Sequence, residues 1–252
     1  MESARSAIGK GLSATLGALL MLAHAPAAAQ PSRISIAING GQQMQSVGIT
    51  DNVVFTEFAE QGDFDSSYPD ANGPLFDVTG RVRLVGNLAV GTGVSMASQR
   101  GNAHLTARLP YPFRFSRHRV VEGRSAALQR QELTVNVHAA WIVPLAASAD
   151  VTLFGGPTFV SLKQDLVDRV EYDHAYPYLV ASYTGAAHSL RSESAVGFVA
   201  GADVAYYFSR VAGVGGTVQL NRAWIALSSA DGGIVEVDTG GLQATAGLRI
   251  RF

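Results

Sequence analysis

The 252-residue chain contains no cysteine. That absence excludes disulfides, thiolate metal sites, a cysteine nucleophile and a cysteine-linked lipid anchor. Lysine occurs only at Lys10 and Lys163, and charged residues make up 15% of the chain, against roughly a quarter in an ordinary soluble domain. The formal net charge is -1; without a concentrated basic surface there is no basis for nucleic-acid binding. Past the first thirty residues no uncharged apolar run approaches the ~18 residues of a membrane helix, so helical spans are not expected.

The N-terminus reads as an export signal. Arg5 and Lys10 are its positive region, Leu12 to Ala23 its apolar run, and Ala27-Ala28-Ala29 its small-residue cleavage site. Residues 1–29 are expected to be removed, leaving 30–252 with a net charge near -2, because Glu2, Arg5 and Lys10 go with them.

The mature region is dominated by two-residue alternation, the period of a strand with unlike faces. Leu242, Ala244, Ala246, Leu248, Ile250 and Phe252 share one face, opposite Gln243, Thr245, Gly247, Arg249 and Arg251. Val196 to Phe208 and Leu133 to Val143 alternate in the same way, and shorter apolar faces occur at Ile34–Ile38, Phe76–Leu84, Leu88–Met96, Val151–Phe159 and Val214–Leu220. Short connections are expected at Gly86-Asn87, Ala146–Asp150 and Ser209–Ala212. They alternate with long ones near 44–74, 98–129, 164–193 and 228–239. This reads as an all-β, closed antiparallel transmembrane β-barrel with short periplasmic turns and long extracellular loops.

Hydrocarbon demands that every backbone polar group be paired, which a closed sheet achieves. Apolar faces then meet lipid and polar faces the interior. Trp141, Tyr206, Phe208 and Phe252 would mark one rim, and Phe76, Phe198 and Trp224 the other. Eight strands are expected. A ten-stranded alternative would use Val53–Ala59 and Ala103–Leu109 as membrane strands instead of extensions above it. A periplasmic sandwich or soluble barrel would turn the polar faces outward, and the glycine-rich polar faces argue against it.

The segments Leu153-Phe154-Gly155-Gly156-Pro157, Gly197 to Asp203 and above all Gly241 to Phe252 resemble strands of the outer-membrane protein β-barrel domain family of Gram-negative bacteria, the small OmpA-, OmpX- and OmpW-like barrels. The resemblance covers the whole mature region. It implies an outer-membrane location and a C-terminal signal, Leu248, Ile250 and Phe252, read by the barrel-assembly machinery. It carries no shared active site.

On the inward faces lie Asp77, Arg81, Arg83, Glu132, His138, Asp203, Arg249 and Arg251, expected to form a structural ion-pair network, since isolated buried charges are costly. The first outer segment collects Asp51, Glu57, Glu60, Asp63, Asp65 and Asp70. The second collects Arg100, Arg108, Arg114, Arg117, Arg119 and Arg124, with Glu122 its only acid. Either the two segments pair, or Arg114, Arg117 and Arg119 clamp lipopolysaccharide phosphates. The aspartates lack the order of a calcium loop, so no metal is expected, and no motif calls for a cofactor.

The third segment is tyrosine-rich, with Tyr172, Tyr176, Tyr178 and Tyr183, suited to a partner or to packing on itself. His104, His118, His174 and His188 lie in outer segments, but no nucleophile motif accompanies them. The expected function is therefore a non-enzymatic barrel, monomeric, in contact with outer-membrane lipid and lipopolysaccharide, with a structural or surface-interaction role. The second reading is a narrow channel for small hydrophobic molecules, lined by Phe154, Val160 and Leu162. A barrel enzyme is the third.

Overall fold

A computed structural model describes residues 33–44, 48–69 and 72–252. The export signal and Asp70 lie outside these residues. Ten strands follow one another: β1 (Ile34–Met44), β2 (Ile49–Glu57), β3 (Glu60–Tyr68), β4 (Gly73–Val85), β5 (Leu88–Pro110), β6 (His118–Ala146), β7 (Ala149–His174), β8 (Ala181–Tyr207), β9 (Ala212–Ser228) and β10 (Ile234–Arg251). All pairings are antiparallel.

The pairings run in a ring. β1 joins β10 at one side and β4 at the other, β4 joins β5 and β5 joins β6, and β6 to β10 pair in sequence. The β2–β3 hairpin stands outside this ring, attached through Asp63–Ser67 to His104–Arg108 of β5. So the two segments named above as candidate extra strands differ in kind: Val53–Ala59 belongs to the hairpin, whereas Ala103–Leu109 is the far end of β5.

Along one stretch of each ring strand the outward residues carry no charge. On β6 these are Leu133, Val135, Val137, Ala139, Trp141 and Val143; on β4, Phe76, Val78, Gly80, Val82 and Leu84; on β8, every second residue from Val196 to Tyr206, with Phe208 just past its end. Most of the large ones are exposed, while Asp77, Thr134, Asn136, His138 and Asp203 between them are buried. Each stretch is close to the ~9–11 residues of a tilted membrane strand.

Beyond this belt the polarity reverses. Leu105, Leu109, Val121, Leu128, Leu162, Leu166, Val167 and Val170 turn inward and are buried, while Arg108, Glu122, Arg124 and Glu171 turn outward. The regions expected to be long loops are therefore mostly paired strand. The links actually left between β5 and β6, β7 and β8, and β9 and β10 are residues 111–117, 175–180 and 229–233. An apolar-outside alternation could not reveal most of these extensions, because their outer face is polar and their inner face apolar.

From Met96 at the top of the belt to Pro110, β5 runs on for roughly 45 Å, or about 35 Å of height at a barrel-like tilt. β6, β7 and β8 extend comparably, whereas β1 and β4 end near the belt. The β2–β3 hairpin fills the resulting gap in the wall: Ile49, Val53, Phe64 and Tyr68 close the apolar core from its side.

Candidate functional site: a filled interior beneath an aromatic crown

Within the belt the inward side chains form two polar tiers. In the lower, Asp203 on β8 accepts from Arg81 Nη1 of β4 at 2.7 Å and from Arg249 Nη2 of β10 at 2.9 Å. Arg249 also donates to Asn39 Oδ1 and to Thr217 Oγ1 at 3.0 Å. Asn39 in turn donates to Asp77 at 2.8 Å, and Thr79 to the same carboxylate at 3.3 Å. His138 meets Asn136 at 2.7 Å and Arg81 Nε at 3.4 Å, and the Arg81 guanidinium stands 5.2 Å from the centre of the Phe154 ring. Asp203, Arg81, Arg249, Asn39 and Thr217 come from five strands of the ring, so the cluster stitches its wall across the interior.

In the upper tier Glu132 accepts from Arg130 Nε at 2.8 Å, from Gln43 Nε2 at 2.7 Å and from the Gly240 amide at 3.2 Å. Gln243 donates to Gln43 at 2.9 Å and accepts from Gln219. Charges so deeply buried persist only with this degree of pairing.

At the lower mouth Arg33, Arg81, Arg83, Asp150, Tyr207 and Arg249 are among the residues around a cavity of about 30 Å³, enough for a few waters. Arg251 lies 3.7 Å over the Tyr207 ring.

In the extension the first two outer segments do pair. Arg108 Nε donates to Asp63 at 2.9 Å, and a second guanidinium nitrogen reaches Asp63 and Asp65. This bond from Arg108 holds the Asp63 carboxyl below its ordinary range. Asp51, buried under the β9–β10 link, accepts from Ser229 Oγ at 2.8 Å, yet burial still pushes its pKa above the usual value. Burial likewise pushes the Tyr68 phenol up to about 12, and its hydroxyl oxygen accepts from the Val167 amide at 2.8 Å.

The crown of the extension is organised by Arg119. Only 6% exposed, it donates to the carbonyls of Pro110 at 2.9 Å and Tyr178 at 3.4 Å. Its guanidinium lies 5.9 and 5.8 Å from the ring centres of Tyr111 and Tyr172, with His174 Nδ1 at 3.1 Å. Tyr172 donates its hydroxyl to Glu57, and Tyr111 donates to the Pro177 carbonyl at 2.9 Å.

The structure thus brings Asp77, Arg81, His138, Asp203 and Arg249 into one cluster and puts Glu132 in another, while Arg83 and Arg251 lie at the mouth. Leu248 is exposed on the outer face of β10 and Phe252 is exposed just past its end, with Ile250 half-buried between them. Sequence reasoning placed Gln243 on the polar face of its strand but not in the network, and it missed Arg130, Asn39 and Gln43, although each shares the polar parity of its strand. Arg119, one of the three arginines offered as an alternative clamp for lipopolysaccharide, is an inward residue, because the apolar-aromatic crown and two carbonyls take up its guanidinium. Arg114 and Arg117 sit at the tip, far above the belt. Phe154, Val160 and Leu162 do face inward, but packed among other buried side chains.

His118 Nε2 lies 3.0 Å from the Gln61 carbonyl. The adjacent Asp173 accepts from the His174 backbone amide at 2.8 Å, a bond to the main chain and not to the ring. Among the described residues no group of three His, Asp or Glu is arranged to hold a metal ion.

Fold and interior together define an all-β antiparallel sheet of ten strands with a ring of hydrogen bonds, polar and filled within the apolar belt. No family model and no curated protein matches the chain. Among solved structures it is similar to neisserial surface protein A, at 8% identity over 87% of this chain and 97% of that one, with a TM-score of 0.47. It is also similar to the outer membrane protease OmpT from Escherichia coli, at 12% identity over 90% and 99%, TM-score 0.49. A third is the outer membrane protein OprG from Pseudomonas aeruginosa, at 9% identity over 88% and 97%, TM-score 0.46.

Proposed function

We propose that this chain is a non-enzymatic outer-membrane β-barrel of eight membrane strands, whose sealed interior makes it a rigid post for an extracellular crown. The single observation that carries this reading is the reversal of polarity along the ring strands: apolar outside and polar inside through the belt, then polar outside and apolar inside above it. A wall that changes its solvent partway along needs two solvents, hydrocarbon and water.

The packing of Val160 and Leu162 into the upper core favours a structural or surface-contact role over passage of small hydrophobic molecules. Contact with lipopolysaccharide phosphates then falls to outward residues just above the belt, Arg100 and Lys163, both exposed. The test is outer-membrane fractionation with gel migration before and after boiling, followed by planar-bilayer recording. A heat-modifiable band in the outer-membrane fraction with little or no steady conductance is expected. A mature protein that stays monomeric in water without detergent defeats the proposal, and large regular conductance steps defeat the sealed interior.

A further inference from the structure

The two tip links, 111–117 and 175–180, are internally ordered. The Tyr111 amide donates to the Arg117 carbonyl at 2.9 Å, the Tyr178 amide to Ala175 at 2.7 Å, and the Ser116 amide to Glu60. Phe113 and Tyr178 pack with ring centres 5.5 Å apart. Yet this ordered pair of links leaves its large apolar side chains in water: Phe115 is 79% exposed, Tyr176 81%, Val180 72%, Phe113 66% and Leu179 64%. Apolar side chains gathered at one end of a protein mark a contact surface, and links fixed from beneath by Arg119 cannot fold them away.

The chemistry of the contact follows from charge and size. Residues 111–120 include Arg114, Arg117 and Arg119 and no acid, and residues 175–180 are uncharged; the acids beside them are Glu60, whose carboxylate accepts from the Ser116 amide, and Asp173, whose carboxylate accepts from the His174 amide. Arg114 and Arg117 lie on either side of Phe115, and among the described residues neither forms an ion pair. The patch spans two short links, well below the roughly 20–30 residues each side of a stable protein interface. Separate aromatic and aliphatic side chains interleaved with arginine suit the headgroup region of a bilayer, where apolar groups enter shallowly and guanidinium groups meet phosphate. At about 35 Å above the belt the tip cannot reach the membrane that holds it.

We propose that the tip docks on the anionic lipid surface of a second membrane. This rests on the reading of the chain as a membrane barrel with the crown outside, but its test is separable. Mature protein folded into nanodiscs of zwitterionic lipid is mixed with vesicles of phosphatidylcholine alone or with about one-third phosphatidylglycerol, and co-flotation is measured. Binding to the anionic vesicles is expected, weakening with salt. Each arginine is worth about five-fold in partitioning, so Arg114→Glu with Arg117→Glu lowers it by well over ten-fold. Phe115→Ser with Leu179→Ser lowers it comparably at every salt concentration.

Each variant is checked by its heat-modifiable band. Failure to enter nanodiscs strikes the barrel reading, and the same vesicle assay then tests the tip on the soluble protein. No co-flotation, equal binding to both vesicle types, or binding of soluble polyglutamate without binding of vesicles overturns the lipid assignment.

Discussion

Asp51 and Asp63 lie on neighbouring strands of one hairpin and respond to acid in opposite directions. Asp63 has a lowered pKa, so its bond with Arg108 supports the hairpin above the unfolded carboxyl value near 3.9 and is lost as pH falls through the folded value. Asp51 has a raised one, so the folded state binds its proton more tightly. Stability then falls as pH rises from about 3.9 through the folded pKa, and the penalty is complete above that folded value. Hydrogen-exchange protection of β2 should therefore rise as pH is lowered from neutral toward about 4. Asp51→Asn, which can still accept from Ser229, should flatten that rise and increase protection at neutral pH. An unchanged profile in the variant would assign the response elsewhere. The same logic of burial makes Asp203 the most sensitive charge of the belt: Asp203→Ala strands Arg81 and Arg249 together and should cost about 3–5 kcal/mol in urea unfolding from lipid vesicles, whereas Arg251→Gln at the mouth should cost under about 1 kcal/mol.

Two elements depend on backbone that sequence rules would not select. The hairpin turn Phe58-Ala59 has φ of 51° and 63°, the left-handed pair normally given to Asn-Gly. On β6, Ala127 at φ 61° supplies the extra residue where the register with β5 shifts between Gly101 and Ala103. Ala127→Gly should relieve this strain and raise the stability of the extension by about 0.5–1 kcal/mol. Deleting Ala127 should instead remove the bulge, leaving Leu128, Ser125 and Val121 on one inward face and the extension as protease-resistant as before, while the belt keeps its heat-modifiable shift. These positions also show where legibility ended. The belt strands and the Gly86-Asn87 turn, with Gly86 at φ 56°, were readable because alternation and glycine report local constraints directly. The turn of the β2–β3 hairpin was not, because Phe58-Ala59 carries no turn signal. Val53–Ala59 and Ala103–Leu109 were expected above the belt, but the rest of the extensions were hidden by their reversed polarity. In the interior, the parity of Asp203 and Arg249 was visible, but the pairing of Glu132 with Arg130, two residues away on the same strand, depends on side-chain reach that alternation does not encode.

At the scale of the whole molecule the belt fixes where the two tryptophans must sit. Trp141 is 53% exposed near the end of β6 that turns into β7, and Trp224 is 60% exposed at the opposite end of the belt, beside Arg222 and Phe198. If eight strands cross a bilayer, the two indoles lie at its two interfaces, separated by roughly 25 Å of hydrocarbon. Single-tryptophan variants, Trp224→Phe and Trp141→Phe, reconstituted into lipids brominated at different depths, should both be quenched more by bromine near the headgroups than by bromine at the chain ends. Iodide added outside vesicles of defined orientation should reach only one of them. Both tryptophans responding most strongly to deep bromine would contradict the assigned belt. Both responding to iodide and to no brominated lipid would mean that the apolar faces meet something other than acyl chains.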